Sequence, residues 1–158
     1  MNIKKITILI ILYLSNTNIL HSIEAEIFVQ STVNRASKIL SDNISKEEKI
    51  KKLKSVAEDT VDIKGIGFYT LGSTRKTLSD EQKNTYEDLF RDYFLKSFSS
   101  RLAEYTNPQI DVIGKEVLSE KYTIVSSVLK GTSERPEIKI DWRIYTKDTE
   151  NPLIRDLI

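Results

Sequence analysis

The sequence contains no cysteine, a single histidine, five glycines and three prolines among 158 residues. Without cysteine the chain has no disulfide, no thiolate nucleophile, no Cys-ligated zinc and no acylated cysteine of the kind that anchors a bacterial lipoprotein. The 24 Lys and Arg residues are interspersed with 23 Asp and Glu residues, so charge alone attracts neither nucleic acid nor an anionic membrane. An apolar content of 39% is typical of one folded domain, and we expect no nucleic-acid partner.

Residues that commonly carry catalysis or bind cofactors are also scarce. Gly65 and Gly67 lack the further glycine and the preceding strand of a phosphate-binding loop. Acidic pairs such as Glu47 with Glu48 fall at predicted helix N-termini, where a favourable interaction with the helix dipole accounts for them. We therefore predict no catalytic residue, no metal site and no cofactor, and we expect that the protein is not an enzyme.

The first 25 residues have the pattern of a secretory signal peptide. Lys4 and Lys5 precede an apolar run over residues 6–14, and a polar stretch then ends at Ala25. Nine residues rise about 14 Å as a helix, roughly half of a hydrocarbon core, so an uncleaved membrane anchor is the weaker alternative. We expect export, removal of residues 1–25 with cleavage after Ala25, and a single mature domain over residues 26–158.

The first half of the mature chain has helical periodicity. A first helix is predicted over residues 26–43, because apolar residues recur there at spacings of four, three and four. Ser45 begins a second helix with the pattern of a capping box. Asp62 is the N-cap candidate of a short third helix, and Gly72 can end that helix in the left-handed conformation.

The longest predicted helix covers residues 79–105 and begins with a second capping box at Ser79. Its apolar stripe drifts round the cylinder along the helix, so we expect its two halves to face different neighbours. Eight of the thirteen aromatic residues of the chain lie between Phe68 and Tyr105. Such a density fits either an aromatic core or the wall of an apolar cavity, and periodicity leaves both open.

After Pro108 the period changes from 3.6 to 2, which predicts strands over residues 109–115, 121–130, 138–145 and 153–158. In the second strand we place Tyr122, Ile124 and Val128 on one apolar face. The third strand alternates most clearly, and its buried face is predicted to hold Ile138, Ile140, Trp142 and Ile144. We predict an α+β fold in which N-terminal helices pack on one face of a roughly four-stranded antiparallel sheet.

The stretch from Phe68 to Tyr105 resembles the MlaC family of periplasmic phospholipid-binding proteins, also described as toluene-tolerance proteins. Leu71 and Gly72 correspond to a Leu-Gly pair of that family, and residues 79–82 correspond to the opening of its long helix. Phe90 and Phe94 match its aromatic spacing, and the order of the following strands also fits. The resemblance covers essentially all of residues 26–158.

This resemblance implies a periplasmic carrier that holds the acyl chains of a phospholipid between the sheet and the helices. It also implies that lipid passes between an outer-membrane lipoprotein and an inner-membrane transporter complex of a lipid-asymmetry transport system. The residues that we expect to line the lipid pocket are Phe68, Leu71, Tyr86, Phe90, Tyr93, Phe94, Phe98, Leu102, Tyr105, Ile138, Ile140 and Trp142.

Two alternatives remain. Members of the family continue for several tens of residues beyond the position of Ile158, and Pro152 stands where they typically have Trp. The first alternative is therefore a truncated, decayed remnant of such a carrier without activity. The second is a small α+β domain that binds another apolar or soluble ligand.

Overall fold

The computed structural model describes residues 24–133 and 135–158. Of the expected signal peptide, residues 1–23 lie outside the described residues. The helices are α1 Ala25–Ser41, α2 Lys46–Thr60, α3 Ile63–Thr70 and α4 Asp80–Leu102, with a 3-10 helix at Gly72–Lys76 between α3 and α4. The strands are β1 Ile110–Ser119, β2 Tyr122–Leu129, β3 Ile138–Tyr145 and β4 Leu153–Leu157.

The strands form one antiparallel sheet in the order β1-β2-β3-β4. The helices precede the sheet in the chain and pack on one of its faces, so the predicted α+β fold is confirmed. The core between the two layers includes Val29 of α1, Leu95 of α4, Val125 of β2 and Ile144 of β3. None of the helices in the described part of the chain is long and apolar enough to cross a membrane.

The face of β2 that the helices cover differs from the one that its apolar residues suggested. Thr123, Val125 and Ser127 are buried, whereas the face with Tyr122, Ile124 and Val128 is only half-buried. The reason is the register with β3, in which Val125 lies opposite Trp142 and Ser127 lies opposite Ile140. Directly opposed residues share a face of the sheet, so the clear alternation of β3 decides which side of β2 is buried.

Helix starts and ends follow the predicted capping chemistry closely. Ser79 accepts a hydrogen bond from the backbone N–H of Gln82, and the Gln82 side chain accepts one from the backbone N–H of Ser79, which completes a capping box. Ser45 makes only the first of these two bonds, to the N–H of Glu48. Gly72 follows α3 with a φ of +55°, the left-handed conformation that glycine adopts without strain.

The two halves of α4 face different neighbours, as the drift of its apolar stripe predicted. In the N-terminal half of α4, Phe90 packs on Gly67 of α3, where an added Cβ would lie 2.8 Å from the ring. This close approach explains why a glycine occupies the middle of a short helix. Near its C-terminus Phe98 and Leu102 instead face α1, α2 and the sheet. The helix ends at Leu102, three residues before the predicted end.

Candidate functional site: an apolar cavity between the helices and the sheet

A cavity of about 170 Å³ lies between the helical layer and the sheet. Its helical walls come from α1, α2, the C-terminal half of α4 and the turn after α4. The main helical residues are Val33, Ala36, Leu40, Leu53, Val56, Ala57, Phe98 and Leu102. The sheet contributes Ile110, Leu129, Ile140, Trp142, Ile154 and Leu157.

None of the described residues that line this cavity has a charged side chain. Its threonine hydroxyls are bonded to their own helices: Thr32 donates to the carbonyl of Phe28 at 2.9 Å, and Thr60 donates to that of Val56 at 2.7 Å. The indole N–H of Trp142 donates to the Ser127 hydroxyl at 2.7 Å. Because these donors have partners within the wall, the space itself is suited to an apolar ligand.

Helical periodicity explains how the walls arise. The stripe of α1 brings Val33, Ala36 and Leu40 to the same side, one or two turns apart. On α2, Leu53 and Ala57 do the same at a spacing of four. The sequence shows both stripes, but it does not show that they meet around an unfilled volume.

An aromatic ladder runs along α4 towards this cavity. Tyr86, Phe90, Phe94 and Phe98 stand four residues apart, with successive ring centroids 5.8, 6.1 and 5.4 Å from each other. Rings at this spacing on one helix stack along its surface. Only Phe98, at the end of the ladder, lines the cavity.

The other end of the ladder borders a separate cleft of about 260 Å³ between α2, α3 and α4. Phe68, Tyr86 and Phe90 line it together with two ion pairs. Lys64 lies 2.7 Å from Glu87, and Arg91 lies 2.6 Å from Glu58. The hydrogen bond from Arg91 to Glu58 raises the pKa of the guanidinium above its ordinary value. Charged side chains therefore line this cleft, whereas uncharged side chains line the cavity.

A third, open cleft of about 540 Å³ adjoins the cavity at the end of α4. Tyr105, Pro108 and Leu129 line both spaces. The guanidinium of Arg135, from the connection between β2 and β3, lies over the Tyr105 ring at 4.7 Å from its centroid. Among the residues that the structure describes, two further charged ones line the cleft, namely Glu104 and Lys130. The cleft is thus the polar neighbour of an apolar space.

The residues expected to line one lipid pocket are distributed over several places. Phe98, Leu102, Tyr105, Ile140 and Trp142 line the cavity. Phe68, Tyr86 and Phe90 lie in the charged cleft, and Phe94 stacks between Phe90 and Phe98.

The remaining three candidates lie away from the cavity. Ile138 is 43% exposed and lines the open cleft, Tyr93 is 70% exposed on α4, and Leu71 is half-buried at the end of α3. The residues expected to line the pocket did not include Ala36, Leu53 and the other cavity residues of α1 and α2. Their amphipathic spacing was the available signal.

Within the described residues, no group of three or more His, Cys, Asp or Glu side chains is placed to hold a metal ion. The apolar lining of the cavity suits the burial of an apolar ligand by shape and desolvation.

One solved structure with a similar fold is a phospholipid-binding protein from Ralstonia solanacearum in complex with a phospholipid. It matches with a TM-score of 0.69 at 15% sequence identity, over 85% of this chain and 77% of that one. No curated protein sequence gives a significant match. The family model described as MlaC protein matches residues 30–158, and the chain therefore belongs to the MlaC family.

Proposed function

We propose that this protein is a periplasmic phospholipid carrier that holds acyl chains in the cavity between its helices and its sheet. The observation that carries the proposal is the uncharged lining of that cavity. Membership of the MlaC family and the similarity of fold to a phospholipid-binding protein support the same ligand class. The proposed role needs no chemical step.

A carrier of this kind has to shield acyl chains from water. Two chains of roughly 15 methylenes each, at about 0.8 kcal/mol per methylene, would cost on the order of 24 kcal/mol to expose. An apolar interior removes that cost during transfer through an aqueous compartment. The polar headgroup needs no such shielding and can remain in contact with solvent.

The cavity is small for a phospholipid, so the proposed carrier has to enlarge it when lipid binds. Its volume of about 170 Å³ lies below the about 300–1,000 Å³ that is usual for drug-sized ligands. The lipid-bound form therefore requires the helical layer to move away from the sheet or the lining side chains to rearrange. Half-buried residues at the wall, such as Phe98 and Ile140, can move at lower cost than fully buried ones such as Leu53 and Ile144.

Two further arguments support the proposed compartment and partners. The N-terminal pattern of residues 1–25 supports export to the periplasm. Family membership supports exchange of lipid with an outer-membrane lipoprotein and an inner-membrane transporter complex of a lipid-asymmetry transport system.

Native mass spectrometry of the protein purified from the periplasm tests the carrier directly. We expect the wild type to retain co-purified phospholipid and the Ala36→Phe variant to retain much less, because Ala36 lines the cavity and a larger side chain fills it. Ser31→Phe is the matched control, since Ser31 lies exposed on the same helix. Circular dichroism shows whether each variant is folded.

A folded Ala36→Phe protein that carries as much phospholipid as the wild type would contradict the assignment of the acyl chains to this cavity. A folded wild type that neither co-purifies with phospholipid nor takes it up from vesicles would contradict the carrier function itself.

The cavity volume also favours a second candidate, a carrier of small apolar molecules. Apolar cavities of about 150 Å³ stay dry and bind molecules of the size of benzene, and this cavity has a similar volume as it stands. Offering the delipidated protein acyl chains of increasing length separates the two. Affinity that rises with chain length supports a phospholipid, and affinity only for the smallest ligands supports the second candidate.

A further inference from the structure

We propose that the open cleft beside the cavity binds the phosphate of the phospholipid, and that Arg135 is the residue that contacts it. This inference rests on the proposed function and adds a headgroup site to it. The first argument is the position of the cleft. Tyr105, Pro108 and Leu129 line both spaces, so the cleft lies directly beside the cavity and is the adjacent place for the polar end of a lipid whose chains occupy the cavity.

The second argument is the contrast between the two linings. In the described part of the chain, the cavity is lined by uncharged side chains, whereas the lining of the cleft includes Glu104, Lys130 and Arg135. A phosphodiester carries a charge that an apolar wall cannot stabilise, so it has to leave the cavity. The cleft offers basic groups that can stabilise this charge at the point where the phosphodiester would leave the cavity.

The third argument is the availability of Arg135. Lys130 lies 2.8 Å from Asp111, and Glu104 lies 3.9 Å from Lys46, so both have ion-pair partners. Among residues 24–133 and 135–158, no carboxylate forms an ion pair with the Arg135 guanidinium. Its contact in this region is the face of the Tyr105 ring.

The stacked arrangement suits a phosphate ligand. A guanidinium on an aromatic face keeps its N–H donors at the edge of its plane, where they can bond two phosphate oxygens at once. Tyr105 holds the guanidinium next to the cavity, because the same ring is part of the cavity wall. All glycerophospholipids share the phosphate, so this contact selects phospholipid over neutral lipid and does not distinguish one headgroup alcohol from another.

A competition experiment tests the site. The delipidated protein is offered phosphatidylglycerol and diacylglycerol with identical acyl chains from mixed detergent micelles, and native mass spectrometry gives the ratio of the two bound lipids. We expect the wild type to prefer phosphatidylglycerol and Arg135→Gln to lower that preference about tenfold, the scale of one charge-assisted hydrogen bond. Arg75→Gln is the matched control, because Arg75 is exposed and lines neither space.

The outcomes separate this inference from the proposed function. An Arg135→Gln protein with the wild-type ratio, or a wild type that takes both lipids equally, overturns the phosphate site while the carrier function stands. A wild type that binds neither lipid overturns both. A lowered ratio in Arg135→Gln with unchanged uptake of diacylglycerol supports the site, since loss of fold would reduce both lipids together.

Discussion

The indole N–H of Trp142 on β3 donates a 2.7 Å hydrogen bond to the hydroxyl of Ser127 on the neighbouring strand β2, and both side chains are buried. Ser127 in turn lies 3.3 Å from the carbonyl oxygen of Ile140. Two polar groups are thus satisfied inside the cavity wall, which leaves the surface that faces the ligand apolar. The bond also fixes the orientation of the largest side chain of that wall.

We expect Ser127→Ala to lower the free energy of unfolding by about 1–3 kcal/mol, because it leaves the buried indole N–H without its acceptor. Urea denaturation measures the change. In a Trp142→Phe background the same serine substitution should cost much less, since the donor is already gone. Equal costs in the two backgrounds would show that the hydrogen bond has no part in the effect.

Gly67→Ala should destabilise the protein although alanine is the better helix former. A Cβ at this position would lie 2.8 Å from Cδ1 of Phe90, and overpacking of this kind typically costs about 1–3 kcal/mol. Gly114→Ala is the control, because, apart from Gly114 and its two chain neighbours, no described residue places a heavy atom within 4 Å of the added Cβ. Replacing the ring with a smaller side chain in Phe90→Leu should reduce the loss of stability caused by Gly67→Ala. An unchanged loss of stability would refute the steric explanation.

The side-chain amide of Gln30 on α1 binds the free edge of β1 at two points. It donates to the carbonyl of Ile110 at 3.2 Å and accepts from the N–H of Val112 at 3.0 Å. We expect Gln30→Ala to lower stability by about 1–2 kcal/mol and to speed hydrogen exchange of the Val112 amide. Gln30→Glu keeps the acceptor and loses the donor, so it should preserve the protection of Val112 better than alanine does.

The expected cleavage after Ala25 has a structural consequence. Lys115 lies 2.9 Å from Glu24 and 2.7 Å from Glu26, and these two bonds raise the pKa of its ammonium group above the ordinary value. Cleavage would remove Glu24 and leave Glu26 as the N-terminal residue, still able to pair with Lys115. Mass measurement of the protein from its native host should give the mass of residues 26–158, and recovery of chains that begin at Met1 would contradict export with cleavage.

We expect the contribution of the loop between β3 and β4 to stability to depend on pH in the acid range. Hydrogen bonds from the Asn151 side chain and the Glu150 backbone hold the pKa of Asp148 below its ordinary value. A carboxylate with a lowered pKa stabilises the fold at pH values above its ordinary pKa of about 3.9. This contribution is lost as the pH falls through the lower pKa that the carboxylate has in the folded state. In an NMR titration, Asn151→Ala should raise the pKa of Asp148. An unchanged pKa would show that the side-chain hydrogen bond does not lower the pKa of Asp148.

The order and type of the elements could be predicted because they depend on local pattern. The stripe of α1, the caps at Ser79 and Asp62, and the alternation of β3 each involve residues close in sequence, so periodicity and hydrogen-bonding capacity were sufficient. The left-handed glycine at position 72 is another local feature of this kind. Family membership also became visible at this level, through the order and spacing of residues between Phe68 and Tyr105.

The composition of the cavity wall depended on contacts between residues far apart in the chain. Tyr86 and Phe98 belong to one aromatic ladder but line different spaces. Tyr86 lines the charged cleft because α3 packs beside it, and Phe98 lines the cavity because α1 and α2 pack near it. The strand β2 carries apolar residues on both faces, and its pairing with β3 alone settled which face is buried. Local sequence determines which residues share a face, because that is fixed by the backbone period; which faces meet, and whether they leave a space between them, is decided only when the helices pack on the sheet.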